Sequence, residues 1–342
     1  MGMMVNPLAG RLSDRIHSSH KLLPILTCGV FICSIAFFFA NNFFTIFLSV
    51  GMLWLFLAPV GPSIDSQTLR AQSSKWLDYG RIRLWGSLTF VLASYWGGEI
   101  IATQSLEFVP YLLSGASAFL FVATLRVPKT NKTKTHLANQ KERIFSDNPN
   151  ESLLSSSTYR LYLYTLATLS LSHAALYGFA SLHWKQSGIT TVHVGGLWAT
   201  GVIAEIILFA VNRRCFAQRL PVFYFKLAAA GGIVRWTMIA RTTDLFWLSI
   251  AQTLHGATFA AMHLGSIAFI GKFVPPSKTS SATNLASALA YNMPMALAMP
   301  WVGALFIDLE SNVFLLMSGL SVVGGLFTLC LDRPCLEKVR EF

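Results

Sequence analysis

The chain has 342 residues, of which 54% are hydrophobic and only 12% are charged, and its formal net charge is +11. In soluble domains about a quarter of all residues are charged, so this composition leaves too little polar surface for a water-soluble globule. The basic residues lie between apolar runs, which argues against a nucleic-acid-binding protein. The five cysteines have no metal-binding spacing and are expected to be core residues or free thiols.

Apolar runs of about twenty residues recur along the chain, and each can cross a hydrocarbon core about 30 Å thick as a helix. The alternation of a membrane barrel is absent from the sequence. Residues 1–9 are too short to span alone. Ten complete spans are predicted, over residues 22–40, 43–64, 84–103, 108–125, 161–184, 192–212, 222–239, 245–273, 282–306 and 313–331.

Residues 126–158 differ from the rest, because their lysines and arginines are mixed with Pro, Asn and Ser, which makes the stretch too polar to bury. We therefore expect an N-terminal helix bundle over 1–125, a linker over 126–158 and a C-terminal six-helix bundle over 159–342. The Asn41-Asn42 pair predicts a tight break between the first two spans.

The charges of the loops predict one orientation, because basic residues are enriched in cytoplasmic loops. In the predicted topology, the loops on one side of the membrane contain only two basic residues, Lys185 and Arg241. The linker and the C-terminus should therefore be cytoplasmic, together with the other basic loop residues, which are Arg11, Arg15, Lys21, Arg70, Lys75, Arg81, Arg83, Arg213, Arg214, Arg219, Lys272, Lys278, Arg333, Lys338 and Arg340.

Several motifs carry a family resemblance. The stretch GRLSDR at residues 10–15 resembles the major facilitator superfamily signature between the second and third helices. The stretches DYGRIRLWGS at 78–87, HAALYGF at 173–179, GVIAEI at 201–206, VRW at 234–236 and LHG at 254–256 are similar to the phenylpropionate permease family. The resemblance implies an all-α membrane protein with a two-bundle fold and ten complete transmembrane helices plus a partial one. Family members begin with a further helix and a half, so the resemblance also implies amino-terminal truncation, with an incomplete N-terminal bundle that lacks its first helix and most of its second.

Three ionisable residues are predicted at membrane depth, where each costs about 2.5 to 3.5 kcal/mol and so suggests a function. Glu205 lies in the middle of its span and is a candidate for proton coupling. Arg235 cannot deprotonate, so we expect it to pair with Glu205 or with a substrate carboxylate. His255 can relay a proton. A glutamate, an arginine and a histidine on helices eight, nine and ten also resemble the arrangement in lactose permease.

Further candidates surround this group. His263 lies eight residues after His255, on roughly the same face but about 12 Å along the axis, so we expect no zinc site. His173 and Tyr177 are one turn apart and could contact substrate, while Trp198 and Trp236 could stack on an aromatic ring. Interhelical hydrogen bonds and packing are the alternative roles. A gate or topology network is predicted at the cytoplasmic loops, comprising Gly10, Asp14, Arg15, Asp78, Arg81 and Arg83.

The sequence contains no G-x-S-x-G, H-E-x-x-H or phosphate-binding G-x-x-x-x-G-K-[ST] motif, so we expect neither an enzyme nor a cofactor. Transport driven by an ion gradient remains, with substrate, protons and the inner (plasma) membrane bilayer as partners. The resemblance implies symport of a small aromatic carboxylate such as 3-phenylpropionate. The alternatives are a transporter of a sugar, a nucleoside or another organic anion, and a non-transporting scaffold, sensor or inactive fragment.

Overall fold

The computed structural model describes residues 2–16, 19–71, 78–127, 145, 151–216 and 219–340. No strand occurs in this part of the chain. The α-helices are α1 (Gly2–Arg15), α2 (Ser19–Ile35), α3 (Phe43–Leu57), α4 (Val60–Ala71), α5 (Tyr79–Thr103), α6 (Val109–Leu125), α7 (Ser157–Leu171), α8 (Ala174–Gln186), α9 (Thr191–Cys215), α10 (Pro221–Arg241), α11 (Leu245–Thr253), α12 (Ala261–Phe273), α13 (Thr279–Ala286), α14 (Met293–Leu309) and α15 (Val313–Arg340).

Two short π-helical segments connect pairs of these helices. Gly256–Ala260 leads into α12, and Ser287–Asn292 lies between α13 and α14. A π-helix bonds each residue to the fifth along, one more than in an α-helix, and such turns are often found at functional sites. The two segments interrupt predicted spans 245–273 and 282–306.

Among the described residues, seven helical stretches are long and apolar enough to cross a membrane. They are Lys21–Phe39, Phe43–Ala71, Leu106–Leu125, Thr191–Cys215, Pro221–Arg241, Leu245–Phe273 and Pro276–Arg333, the last of which joins several helices. The count of ten spans stays a prediction. The linker predicted at 126–158 falls largely on residues 128–144 and 146–150, which lie outside the described residues, as does Lys75.

The predicted break at Asn41-Asn42 is confirmed by a helix cap. The Asn42 side chain accepts a hydrogen bond from the Thr45 backbone N–H at 2.9 Å, and the Thr45 hydroxyl accepts one from the Asn42 backbone N–H at 3.2 Å. This reciprocal pair satisfies two backbone donors at the start of α3. The chain therefore begins a new helix immediately after the asparagines.

The chain forms two compact units. The first comprises Met1–Leu77, Thr89–Gln140 and Val274–Ala288. Its apolar core includes Leu23 and Val30 of α2 and Leu53 of α3. Hydroxyl pairs join α2 to α6, with Thr27 and Thr124 2.7 Å apart. Small polar residues of this kind are common between membrane helices, because they allow close approach and hydrogen-bond across the contact.

The second unit comprises Asp78–Leu88, Lys141–Phe273 and Leu289–Phe342. Its core is larger and includes the fully buried Trp184, Trp236 and Phe314. The first residues of α5 belong to this unit, and the rest of that helix belongs to the first. The bundle boundaries at residues 125 and 159 stay a prediction. All the ionisable residues predicted at membrane depth lie in this second unit.

Candidate functional site

Arg235 on α10 is completely buried and is held by neutral groups. Its Nη1 donates to His255 Nδ1 and to Thr258 Oγ1, both at 2.9 Å, and its Nη2 donates to Gln252 Oε1 at 2.6 Å. Its Cζ atom lies 4.7 Å from the centroid of the Trp236 ring. Within the described residues, no carboxylate forms an ion pair with this guanidinium. The expected direct pair with Glu205 is therefore not formed.

His255 lies between the arginine and the glutamate. A guanidinium donates but cannot accept, so the His255 Nδ1 must accept from Arg235, and the proton of the neutral ring is on Nε2. The Nε2 atom lies 3.6 Å from Glu205 Oε2. The Ser87 hydroxyl donates to the other carboxylate oxygen, Oε1, at 2.7 Å. The structure thus links the three predicted residues in the order Glu205, His255, Arg235.

One glycine, Gly256, allows the π-helical segment to come close to α9 beside Glu205 and His255. A Cβ atom on Gly256 would lie 2.7 Å from the Ala204 carbonyl oxygen, closer than real Cβ contacts permit. A Cβ atom on Gly201 would lie 3.4 Å from His255 Cβ, in ordinary contact. Glycine at position 256 is therefore needed for the π-helical segment to pack against α9 and to bring His255 to Glu205.

His173 marks a break in predicted span 161–184, because it lies between α7 and α8. The imidazole Nδ1 is 3.0 Å from the Leu169 carbonyl oxygen, and its Nε2 is buried without a hydrogen-bond partner in the described part of the chain. The Tyr177 ring stacks on it with centroids 5.8 Å apart, and Trp198 follows at 6.4 Å from Tyr177. His173, Tyr177 and Trp198 therefore form one aromatic column.

A second column runs along the π-helical segment and α12. The His255 and Phe259 rings are parallel to within 5° at 5.2 Å, and His263 follows Phe259 at 6.3 Å. His263 Nε2 lies 2.5 Å from the Tyr79 hydroxyl oxygen. His173 meets this column edge-on, because its ring stands at 73° to His255 and at 75° to Phe259.

A cavity of about 480 Å³ opens beside these columns within the second unit. Its lining includes His173, Tyr177 and Phe259, together with the methionines Met262, Met295 and Met299. Glu205, Arg235 and His255 do not line it. Trp236 does not line it either; the ring is fully buried, and its Nε1 donates to Ser321 Oγ at 3.1 Å.

The predicted gate residues of the first unit lie where α1 meets α13. Asp14 accepts hydrogen bonds from the backbone N–H groups of Ser280 and Ser281 at 3.1 and 2.7 Å, and it forms an ion pair with Arg70 at 2.5 Å. Burial raises the pKa of the Asp14 carboxyl, while hydrogen bonding from Ser281 and the Arg70 charge oppose the rise. A Cβ atom on Gly10 would lie 2.8 Å from the Ser280 carbonyl oxygen.

Arg15 is exposed at the end of α1. The remaining predicted gate residues, Asp78, Arg81 and Arg83, lie at the start of α5 in the second unit. Asp78 is buried, and its Oδ1 accepts from the Gly80 backbone N–H at 3.0 Å. Arg81 Nε lies 3.8 Å from Asp78 Oδ2. Arg83 lies against Gly86. The structure thus brings Asp78 and Arg81 together but places Asp14 in a different unit.

Some site residues were not singled out from the sequence. Gln252 and Thr258 bind Arg235, and Ser87 binds Glu205. Gln252 and Thr258 lie three residues before and after His255, so a polar helical face was a usable signal for them. Ser87 and the cavity methionines gave no such signal.

Apolar helices of spanning length around buried ionisable residues are typical of a multi-pass membrane protein. The family model that matches the chain is the MFS_1 like family, over residues 2–317, and the chain therefore belongs to this family of major facilitator proteins. The predicted all-α fold and the expected absence of enzymatic activity are confirmed, because the relatives and the solved structures that resemble the chain are major facilitator transporters.

Two curated relatives match most of the length of this chain. The "Probable 3-phenylpropionic acid transporter" of Escherichia coli (strain K12) is 29% identical over 91% of this chain and 80% of its own length. The "Uncharacterized transporter YwbF" of Bacillus subtilis (strain 168) is 24% identical over 96% of this chain and 80% of its own length. The solved structure of the Escherichia coli fucose:proton symporter superposes with a TM-score of 0.71 at 11% identity, over 96% of this chain and 87% of that protein.

Proposed function

We propose that this chain is a secondary active transporter that carries a small aromatic carboxylate, such as 3-phenylpropionate, together with a proton across the inner membrane by alternating access. The observation that carries the proposal is the series of contacts from Glu205 through His255 to Arg235, in which His255 Nε2 lies 3.6 Å from the glutamate and Nδ1 is hydrogen-bonded to the arginine. The name of the Escherichia coli relative, a probable 3-phenylpropionic acid transporter, supports the substrate class.

Arg235 supports an anionic substrate. The permanently charged guanidinium is completely buried among neutral partners, and none of the described residues places a counter-charge in direct contact with it. A carboxylate matches the forked geometry of its N–H groups and would supply that charge. We therefore assign Arg235 to the substrate carboxylate, with His173, Tyr177, Trp198 and Trp236 as the aromatic surroundings of the substrate.

His255 supports coupling to a proton. Its Nδ1 can accept either the hydrogen bond from Arg235 or a proton, but not both. A carboxylate that takes over Arg235 Nη1 would free Nδ1, and a protonated ring next to Glu205 would then be favoured. Substrate binding and proton binding therefore promote each other, as the reciprocity of linked equilibria requires. Glu205, His255 and His263 are the proposed proton-coupling residues.

The gate residues complete the proposal. In alternating access, contacts at one side of the membrane must form and break in each cycle. We assign this role to Gly10, Asp14 and Arg15 at α1, and to the start of α5 with Asp78, Arg81 and Arg83. The central linker and the C-terminus are proposed to be cytoplasmic.

The test is uptake of labelled 3-phenylpropionate by cells that produce the full chain, with and without a protonophore. We expect Arg235→Lys to lower uptake by at least about tenfold, because an ammonium group cannot replace the three directed hydrogen bonds. We expect Glu205→Gln to abolish the accumulation driven by the proton gradient. Matched controls at exposed positions, Arg241→Lys and Glu107→Gln, should transport normally.

Uptake that is unchanged in both site variants would refute the residue assignment. A chain that transports a sugar or a nucleoside but no aromatic acid would refute the substrate class and support the alternative of another small solute. A correctly inserted chain that transports none of these would favour a scaffold or sensor.

A further inference from the structure

The cavity beside the aromatic columns is framed by both π-helical segments. Phe259 belongs to Gly256–Ala260, and Tyr291 and Asn292 belong to Ser287–Asn292, and all three line the cavity. Its volume of about 480 Å³ falls in the range typical of small-molecule sites. The unusual backbone on two sides therefore shapes one space that a small ligand can fill.

The apolar lining of this cavity suits an aromatic ring. Phe259 and Tyr177 present ring surfaces, and the flexible thioethers of Met262, Met295 and Met299 can adapt to rings of different substitution. Sulfur-aromatic contacts also stabilise such a ring. The cavity is thus expected to hold the apolar part of a substrate whose carboxylate binds elsewhere.

The polar group of interest in this cavity is His173, which is 2% exposed. A carbonyl oxygen only accepts, so the Nδ1 atom at 3.0 Å from the Leu169 carbonyl oxygen carries the proton of the neutral ring. The Nε2 atom is then a hydrogen-bond acceptor, and it has no partner among the described residues. Arg235 and His173 both contact the Trp236 ring, so the guanidinium lies near this histidine.

We infer that His173 Nε2 accepts a hydrogen bond from a hydroxyl group on the substrate, so that the preferred substrate is a hydroxylated aromatic carboxylate. This inference rests on the proposed function. The ring lies in the cavity among Phe259 and the methionines, and the hydroxyl donates to His173. A buried acceptor that stays unpaired costs about 1 to 3 kcal/mol, and a ligand that satisfies it gains that difference over one that does not.

The experiment compares three hydroxyphenylpropionate ring isomers with unsubstituted 3-phenylpropionate as competitors of labelled 3-phenylpropionate uptake. In the unmodified chain, at least one isomer should compete roughly tenfold better than the unsubstituted acid. In His173→Leu, this preference should vanish, so that each isomer competes no better than the unsubstituted acid does in the same variant, whatever the absolute rate of uptake. The matched control is His193→Leu, at an exposed histidine outside the cavity, which should keep the preference.

A second variant, His173→Gln, keeps the test valid if the leucine variant fails to fold. The glutamine side-chain oxygen can still accept the hydroxyl hydrogen bond, so this variant should retain part of the preference. The inference is overturned if no isomer competes better than 3-phenylpropionate, which would mean that a water molecule suffices for Nε2. It is also overturned if His173→Leu keeps the preference. Either result leaves the proposed function intact as long as 3-phenylpropionate is transported, whereas a chain that takes up no aromatic acid loses both.

Discussion

At the scale of single residues, the Glu205 carboxylate depends on a serine of another helix. Ser87 on α5 donates to Oε1 at 2.7 Å, and His255 approaches Oε2 at 3.6 Å. Glu205 is only 6% exposed, so water is a poor substitute for these donors. Ser87 therefore holds the carboxylate in the orientation that faces His255.

We expect Ser87→Ala to lower the free energy of unfolding by about 1 to 3 kcal/mol, because the buried Oε1 loses its donor. Thermal unfolding of the purified protein in detergent measures the loss. Ser249→Ala is the matched control, since among the described residues the Ser249 hydroxyl bonds only to the Leu245 carbonyl of its own helix. Equal transition temperatures for the two variants would contradict this role of Ser87.

The sequence was informative about which residues form the site and less so about their order. Glu205, Arg235 and His255 stand out because charged and titratable side chains interrupt apolar runs. The position of His255 between the other two could not be predicted, because it depends on side-chain directions and on the close approach at Gly256. The full burial of Trp236 and its contact with Arg235 could not be predicted either, and its place beside the substrate stays a prediction.

At the scale of helices, the contact between the π-helical segment Gly256–Ala260 and α9 depends on the absence of a side chain at Gly256. We expect Gly256→Ala to destabilise the protein by about 1 to 3 kcal/mol, because its Cβ would lie 2.7 Å from the Ala204 carbonyl oxygen. Gly195→Ala is the matched control. A Cβ there meets no atom within 4 Å, and alanine favours a helix over glycine by roughly 0.5 to 1 kcal/mol.

Transition temperatures of the two glycine variants give the measurement. Gly256→Ala should unfold at a lower temperature than the unmodified protein, and Gly195→Ala at an equal or higher one. The opposite ranking would show that α9 and the π-helical segment can separate without loss.

Helix breaks were harder to predict than helices. The run over 161–184 is apolar enough to be predicted as a single span, yet the chain turns at Ser172 and His173 before α8 begins. A change from α to π hydrogen bonding leaves the composition unchanged, so hydropathy does not reveal it. The Asn41-Asn42 break was predictable, because asparagine is a residue type that is strongly preferred at the start of helices.

At the scale of the whole molecule, large apolar side chains cover the outside of the helices. Phe43, Val192 and Ile307 are 84%, 83% and 80% exposed. In water this surface would drive association, whereas in a bilayer it contacts acyl chains. The surface agrees with the multi-pass topology of the family.

The proposed orientation can be tested with cysteine labelling in intact cells. Cys215 is exposed at the end of α9, next to Arg213 and Arg214, and we expect it to face the cytoplasm. Thr243, between α10 and α11, should face outward. A membrane-impermeant maleimide should therefore label Thr243→Cys but not Cys215 in chains whose other native cysteines, Cys28, Cys33, Cys330 and Cys335, are replaced by serine.

Labelling of Cys215 in intact cells would show that the orientation is the opposite of the one proposed. Permeabilised cells provide the control, because both positions should then react. Labelling of both positions without permeabilisation would contradict the predicted number of crossings between them.

The π-helical segment Gly256–Ala260 also has a consequence for how homologous chains can differ in length. Its turn accommodates one residue more than an α-helical turn. A relative that lacks one amino acid there could revert to a regular helix while α12 keeps its register, whereas a deletion inside a regular buried helix would rotate every following side chain by about 100°. Gaps in an alignment of this family should therefore gather at this turn.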